Sequence, residues 1–333
     1  MIERFELTAA GFKRGAASDP SLNADQVLVE VAGCALGVEP AAEISGVVVA
    51  VGTGAGEWLG KRVVVPRLLC CGECEPCRRA RPASCARRVV RKGLATHEVV
   101  PTRHLCAVDP PLWPPSWFVR PSSHEPEDDL WRLAALADAA AAPYGALARA
   151  GIGPSELLFI IGGGVRAAFA VQLARGRGAH VVVLEDREVL AVRALALGAI
   201  LALPESLDPI QVHDRVADIC RKKGAIVTAT KVLETTGTSR GRSRALALTR
   251  GGETVAFLDG ARTDEPPASI DWGPIVRGEI TLLGATACHP DLIPELMALV
   301  VRGDLKLDGL LRAVRPGELI ESDSDAILSI LRP

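Results

Sequence analysis

Aromatic residues make up only 4% of this chain of 333 residues, and Tyr144 is its single tyrosine. Excess charge of either sign is missing as well. Against 38 Lys and Arg stand 40 Asp and Glu, a formal net charge of −2, and this excludes nucleic acid as the main partner. Long apolar runs are also absent. None approaches the roughly 20 residues of a membrane-spanning helix, and Met1-Ile2-Glu3-Arg4-Phe5 is not the start of a signal peptide. Neither an internal repeat nor a low-complexity tail is present. What remains is a chain with 48% hydrophobic residues, long enough for two domains with a large core. Nine cysteines in such a leaderless chain are expected to be metal ligands or free thiols of a reducing cytoplasm, not disulfides.

One stretch organises the rest. Leu157 to Ile161 is five apolar residues in a row, the pattern of a strand buried on both faces. Gly162-Gly163-Gly164-Val165-Arg166-Ala167 follows, then a helical run, then His180-Val181-Val182-Val183-Leu184-Glu185. Glycines at 162 and 164 permit a tight turn and a close approach of backbone to a pyrophosphate. Ala167 is the small residue where helix packs on strand, and the helix N-terminus offers its unpaired N–H groups to the phosphates. Glu185 ends the second strand, 21 residues after Gly164. An acid there accepts hydrogen bonds from the ribose hydroxyls and repels a 2′-phosphate, which predicts NAD(H) over NADP(H). The dinucleotide set is Gly162, Gly163, Gly164, Val165, Ala167 and Glu185, with Thr236 and Leu258 further along the chain. Arg166 is atypical for such a turn.

Upstream, residues 1 to about 110 read as short strands and turns. Val27–Val31, Ile44–Gly52 and Lys61–Pro66 are separated by glycine and proline, as in a compact β-barrel-like domain. Cys71-x2-Cys74-x2-Cys77-x7-Cys85 then brings four thiols together in a short segment. Four thiolates close one tetrahedral Zn²⁺ site, and a closed site is structural. Cys70 is spare. Arg78, Arg79, Arg81, Arg87, Arg88, Arg91 and Lys92 surround the cluster. They read as a solvated face, with an anion-binding patch as the sharper alternative. Residues 108 to 128 are a proline-stiffened loop with Trp113, Trp117 and Phe118. A helical pattern begins at Leu130, with Leu133, Leu136 and Ala137 on one face.

Past Glu185, helix and strand alternate. Val189–Leu197, Arg240–Leu248 and Leu292–Val301 read as helices. Gly224–Val227, Lys231–Glu234, Glu253–Leu258 and Glu279–Gly284 read as strands. The fold class is therefore α/β, with a Rossmann doubly wound parallel sheet beside the β-rich domain.

The Cys₄ spacing followed by Gly162-Gly163-Gly164 in a Rossmann unit resembles the zinc-containing alcohol dehydrogenase family of medium-chain dehydrogenase/reductases. The resemblance covers essentially the whole chain. It implies a GroES-like catalytic domain over residues 1–140 and 286–333, with the zinc lobe at about 70–92. The Rossmann domain occupies 141–285, and the active site lies in a cleft between the two. It also implies a homodimer or homotetramer. The family holds a catalytic zinc on a Cys, a His in a Gly-His-Glu triplet, and a later Cys, Asp or Glu. Cys34 resembles the first ligand. Ala41-Ala42-Glu43 stands where the triplet belongs, so Ala42 replaces the His while Glu43 keeps the acid, and Asp138 falls at or near the third position.

Without that metal a plain alcohol lacks an electrophile for its oxygen. Reduction of an enoyl thioester needs less, because hydrogen-bond donors can hold the enolate formed when hydride reaches the β-carbon. Ala137-Asp138-Ala139 and Ala142-Pro143-Tyr144 also resemble a stretch of the cyclohexenecarbonyl-CoA dehydrogenases and of a dimethylacrylyl-CoA reductase. The expectation is thus an NADH-dependent reductase of a short α,β-unsaturated acyl-CoA, with Cys34, Glu43, Asp138 and Tyr144 lining its cleft. One alternative keeps a zinc on Cys34, Glu43 and Asp138 and makes the protein a secondary alcohol or hydroxyacyl-CoA dehydrogenase. Another is an NAD-binding protein without catalysis. Taken singly, Cys34 also fits a small buried residue, Asp138 a partner for an arginine, and Tyr144 a packing side chain. His97 and His104 read as structural.

Overall fold

The computed structural model describes residues 2–8, 11–18, 20–36, 43–79, 81–90, 94–108, 126–137, 139–223, 226–258, 270–286, 290–316, 318 and 327–333. The loop carrying Trp113, Trp117 and Phe118 lies outside them, as do Ala41, Ala42, Arg91, Lys92 and Asp138. The chain divides into two compact units, Met1–Ala141 with Ala287–Pro333, and Ala142–Thr286.

The first unit opens with β1 (Ile2–Thr8), β2 (Gly11–Ala17), β3 (Gln26–Leu36), β4 (Ile44–Val51), β5 (Arg62–Val65) and β6 (Leu68–Leu69). It continues with the one-turn helix α1 (Glu75–Arg78), β7 (Val89–Val90), β8 (Leu94–Ala95), β9 (His97–Pro101) and β10 (Cys106–Ala107). The second unit contains α2 (Ala141–Arg149), β11 (Glu156–Ile161), α3 (Val165–Gly176), β12 (His180–Leu184), α4 (Glu188–Ala196), β13 (Leu201–Leu203) and α5 (Pro209–Lys223). β14 (Ile226–Glu234), α6 (Ser239–Leu248), β15 (Thr254–Phe257), α7 (Trp272–Arg277) and β16 (Thr281–Gly284) complete it. The chain then returns to the first unit through α8 (Ile293–Val301), β17 (Leu311–Val314) and β18 (Leu328–Leu331).

In the first unit the main sheet runs β10-β5-β4-β3-β18-β17, with β9 also paired to β3. Alternation explains β3: Val27, Val29 and Val31 are buried while Glu30 points to solvent. The strand also runs past the predicted segment to Leu36, and β18 pairs with that extension through Ser329–Leu331. Gly33 makes room there. A Cβ on it would lie 2.6 Å from the Trp131 carbonyl oxygen, so the segment carrying Trp131 packs directly against the β3 backbone. That segment, Pro126–Leu136, is a 3₁₀ helix and not the expected α-helix. The reason is visible in its spacing. Leu130, Leu133 and Leu136, all buried, are three residues apart, and at three residues per turn they share one edge.

The second unit is a six-stranded parallel sheet in the order β13-β12-β11-β14-β15-β16. In order of appearance that is 3-2-1-4-5-6, a doubly wound Rossmann sheet. β11 is its centre, and Leu157 to Ile161 are all inaccessible to solvent. The two predicted strand pieces around residues 224–234 form one strand, β14. The short β13 and the helix α5 escaped the sequence reading, although Val212, Val216 and Cys220 lie four apart along α5 and are all buried. Phe159 packs edge-on against His213 of α5, with ring centroids 5.4 Å apart. Among the described residues no helix is long and apolar enough to cross a membrane.

Truncation of the central ring should expose how much of this unit rests on β11. Phe159→Ala is expected to cost about 3–5 kcal/mol and lower the urea midpoint of this unit. Val189→Ala, at a position that is 80% exposed, is expected to change stability by less than about 0.5 kcal/mol.

Candidate active site and metal centre

The glycine turn joins the end of β11 to the start of α3. Gly162 has φ +94°, which L side chains rarely adopt. Its N–H donates to the Leu184 carbonyl at 2.8 Å. A Cβ at Gly162 would fall 2.6 Å from the methyl of Thr236, so the turn after β14 presses against the glycine turn. Gly164 caps α3, Val165 opens it, and Ala167 is buried against the sheet. The first turn of α3 has no acid. Its N–H groups and dipole thus face outward with no acidic side chain of that turn to neutralise them, the arrangement that receives phosphate.

Glu185 stands just past β12, buried, and its carboxylate is crowded with donors. Oε2 accepts the Gly163 N–H at 2.6 Å, and Oε1 accepts the Arg187 N–H at 2.9 Å. The Arg187 guanidinium adds Nε–H to Oε1 at 2.9 Å and Nη2–H to Oε2 at 3.1 Å. Burial raises this acid, but the bonds and charge of Arg187 and the Gly163 N–H outweigh it and hold the group below its usual range. A depressed acid contributes stability that is present above its unfolded value, near 4.3, and is lost as the pH falls through its folded value. Arg193 of α4 donates from the other side to the Gly163 carbonyl at 2.6 Å. Both peptide groups that flank the Gly163 Cα are therefore held, one at its N–H and the next at its C=O.

A second carboxylate was not anticipated. Glu234, at the end of β14, is fully buried. Its Oε1 accepts the Thr236 N–H and the Thr236 hydroxyl, each at 2.6 Å, and the Gly237 N–H at 3.1 Å. Leu258 donates its N–H to the Glu234 carbonyl at 3.0 Å. Thr236 and Leu258 are thus both fixed by Glu234, one through its side chain and one through its backbone. The signal was in the sequence, where an acid at a strand end is followed by Thr-Thr-Gly-Thr, the composition of a turn that wraps a carboxylate.

In the first unit, the sulfurs of Cys71, Cys74, Cys77 and Cys85 all lie within 4.8 Å of one another. Cys74–Cys77, Cys85–Cys71 and Cys71–Cys77 are 3.4, 3.6 and 3.8 Å apart. Zinc–sulfur bonds of about 2.3 Å in a tetrahedron put sulfurs about 3.8 Å apart, so the four fit one Zn²⁺. Backbone bonds from Glu73 and Cys74 lower the Cys71 thiol to about 6, toward the thiolate a metal needs. Cys70 is buried beside the cluster but outside the four, and its carbonyl is 2.5 Å from His104 Nε2. His97 Nδ1 is 3.1 Å from the Thr96 hydroxyl. Arg79 and Arg87 pair with the exposed Glu75 and Glu73 at 2.8 and 3.0 Å, as on a solvated face.

Cys34 lies on β3 opposite Ile44 of β4, fully buried in an apolar cluster. Glu43 immediately precedes β4 and is buried too. Its carbonyl accepts the Ala35 N–H at 3.0 Å, and its carboxylate is 4.0 Å from Arg67. Their backbones are therefore close, Cys34 pairing with the residue that follows Glu43. Thiol and acid supply two donors, where a catalytic zinc takes three from the protein. Among the described residues, the four cysteines of the lobe are the one group of three or more such donors within reach of a single ion. Tyr144 belongs to α2 of the second unit, its ring 5.0 Å from the Arg177 guanidinium.

Comparison with known proteins assigns these parts. Residues 23–110 match the model of the alcohol dehydrogenase GroES-like domain, and residues 167–302 match that of the zinc-binding dehydrogenases. The L-galactonate-5-dehydrogenase of Escherichia coli (strain K12) is 25% identical over 279 residues, covering 81% of this chain and 73% of that protein. The geraniol dehydrogenase of Castellaniella defragrans is 33% identical over 177 residues, 52% of this chain and 45% of that protein. The crystal structure of galactitol-1-phosphate dehydrogenase from Escherichia coli shares the fold, with a TM-score of 0.80, 20% identity and 100% of both chains covered.

Loss of one thiolate should open the lobe. Purified protein is expected to carry zinc on the Cys₄ site, and Cys77→Ser is expected to lose it and melt at a lower temperature, read by elemental mass spectrometry beside a thermal melt.

Proposed function

The chain belongs to the zinc-binding, medium-chain dehydrogenase/reductase family of NAD(P)-dependent oxidoreductases, and from that premise we propose that it moves a hydride between the nicotinamide and the carbinol carbon of a small alcohol or polyol. The observation that carries this reading is the pair of domain matches, in order along the chain, beside relatives named as dehydrogenases of galactonate and geraniol. The expected reduction of an acyl-CoA double bond gives way to the alternative of alcohol chemistry. The relatives just described are alcohol and polyol dehydrogenases, and none of their names refers to a thioester.

In this reading Gly162, Gly163, Gly164, Val165, Ala167, Thr236 and Leu258 hold the dinucleotide. Cys34, Glu43, Asp138 and Tyr144 serve the substrate side. An alcohol gives up hydride from carbon only as the proton leaves its oxygen, so the site needs a proton acceptor or a Lewis acid. Glu43 is a buried carboxylate with Arg67 as its counter-charge, and it is assigned as the acceptor. Cys34, Glu43 and Asp138 are also donor types that zinc accepts, and a zinc held there would polarise the alcohol oxygen.

The test is absorbance at 340 nm. Secondary alcohols and polyols with NAD⁺ or NADP⁺ are run against short enoyl-CoAs with NADH or NADPH. Reduction of the cofactor by at least one alcohol is expected, and Glu43→Gln is expected to slow it by about 10²-fold. Turnover with enoyl-CoAs alone would return the thioester reading to first place.

A further inference from the structure

The carboxylate expected to read the ribose has no acceptor site left. An ionised carboxylate offers about four lone-pair positions. In Glu185 all four are taken: the Gly163 N–H and Arg187 Nη2 on Oε2, and the Arg187 N–H and Nε on Oε1. The two backbone bonds belong to the turn and the strand end. The two guanidinium bonds are the removable ones, because the Arg187 side chain is 48% exposed while that of Glu185 is 6% exposed. A ribose diol can reach this acid only when Arg187 swings away. Arg187 then holds a positive charge beside the ribose.

The remaining charges around this strand end are balanced. Asp186 is paired with Arg240 at 2.9 Å, and Glu205 with the same Arg240 at 3.3 Å. Arg244 donates to the Leu207 carbonyl. Of these acids, Glu185 is the one facing the turn, and its charge is offset by Arg187. The repulsion that an acid at this place exerts on a 2′-phosphate is therefore cancelled at close range.

We propose that Arg187 is the determinant of cofactor choice at the proposed dehydrogenase site, and that it selects a 2′-phosphorylated dinucleotide over the unphosphorylated one. A 2′-phosphate gives the released guanidinium a bidentate partner of opposite charge, which a ribose hydroxyl does not. Glu185 meanwhile keeps its bond to Gly163 and acts as a positioning residue for the glycine turn. This proposal departs from the NAD preference expected from the acid alone. It rests on the reading of the turn as a dinucleotide site but not on the identity of the substrate.

The experiment therefore uses binding and not turnover. The full chain is titrated calorimetrically with 2′,5′-ADP and with 5′-AMP, as wild type, Arg187→Ala and Arg187→Lys. Wild type is expected to bind 2′,5′-ADP at least about tenfold more tightly than 5′-AMP. Arg187→Ala should abolish that difference while leaving 5′-AMP affinity equal or improved, since it frees two acceptor positions on Glu185. Arg187→Lys, which keeps the charge without the fork, should retain part of the difference. Equal affinity of wild type for the two probes overturns the proposal. So does a parallel loss of both in Arg187→Ala, which would make the arginine merely structural. Failure of the alcohol assay alongside a 2′,5′-ADP preference would overturn the substrate reading and leave this one standing.

Discussion

The hydrogen bond from the Gly163 N–H to the Glu185 carboxylate at 2.6 Å, beside that from the Gly162 N–H to the Leu184 carbonyl at 2.8 Å, ties the glycine turn to the end of the neighbouring strand. Much of the nucleotide half of the molecule depends on it. β11 and β12 are already in register through Leu157–Ile161 and His180–Leu184. Just beyond their ends the backbone bonds from Gly162 to Leu184 and from Glu185 to Leu203 continue the connection. A buried carboxylate between them must be satisfied, because an unpaired one is costly. Glu185 meets that demand with the turn on one side and Arg187 on the other. Arg193 fixes the next peptide at the Gly163 carbonyl. Glu234 repeats the device one strand over, where it holds Thr236 against Gly162. The glycine turn is thus shaped by the chain's own residues, which would lower the ordering cost of binding the proposed dinucleotide.

The zinc lobe follows a different logic. Its four thiols come from 15 consecutive residues, Cys71 to Cys85, and they converge within 4.8 Å. Contact with the rest of the first unit is made through neighbours such as Cys70 and His104. The lobe therefore contributes a local fixed point, apart from the proposed substrate-side residues Cys34 and Glu43.

How much of this could be read from the sequence depended on range. Features whose residues lie close together were legible, among them the Cys₄ spacing, the apolar run of β11, the glycine turn and the terminal acid. The family followed from those. The 3₁₀ segment was read as an α-helix because Leu130, Leu133 and Leu136 fit either period until packing against β3 decides. α5 and β13 went unread because weakly apolar stretches gain their structure from the sheet they cover. Glu185 shows the deeper limit. Its identity and position were correctly anticipated, but its partners were not, since Arg187 and Gly163 could saturate it only once the strand end had folded. Glu234 differs, because its partners Thr236 and Gly237 lie within three residues and its turn is legible in the local sequence. The shift from thioester to alcohol chemistry arose separately. The missing His points to loss of the reaction, whereas the likeness to the L-galactonate and geraniol dehydrogenases favours the alcohol alternative.

The most direct measurement concerns Glu185 itself. Glu185→Gln keeps size and one acceptor but turns an amide N–H₂ toward the donors that the carboxylate served. If this group holds the turn, thermal stability should fall by an amount equivalent to about 1–3 kcal/mol, and affinity for 5′-AMP should fall with it. A variant that melts and binds 5′-AMP like the wild type would contradict the claim that one carboxylate shapes the nucleotide site.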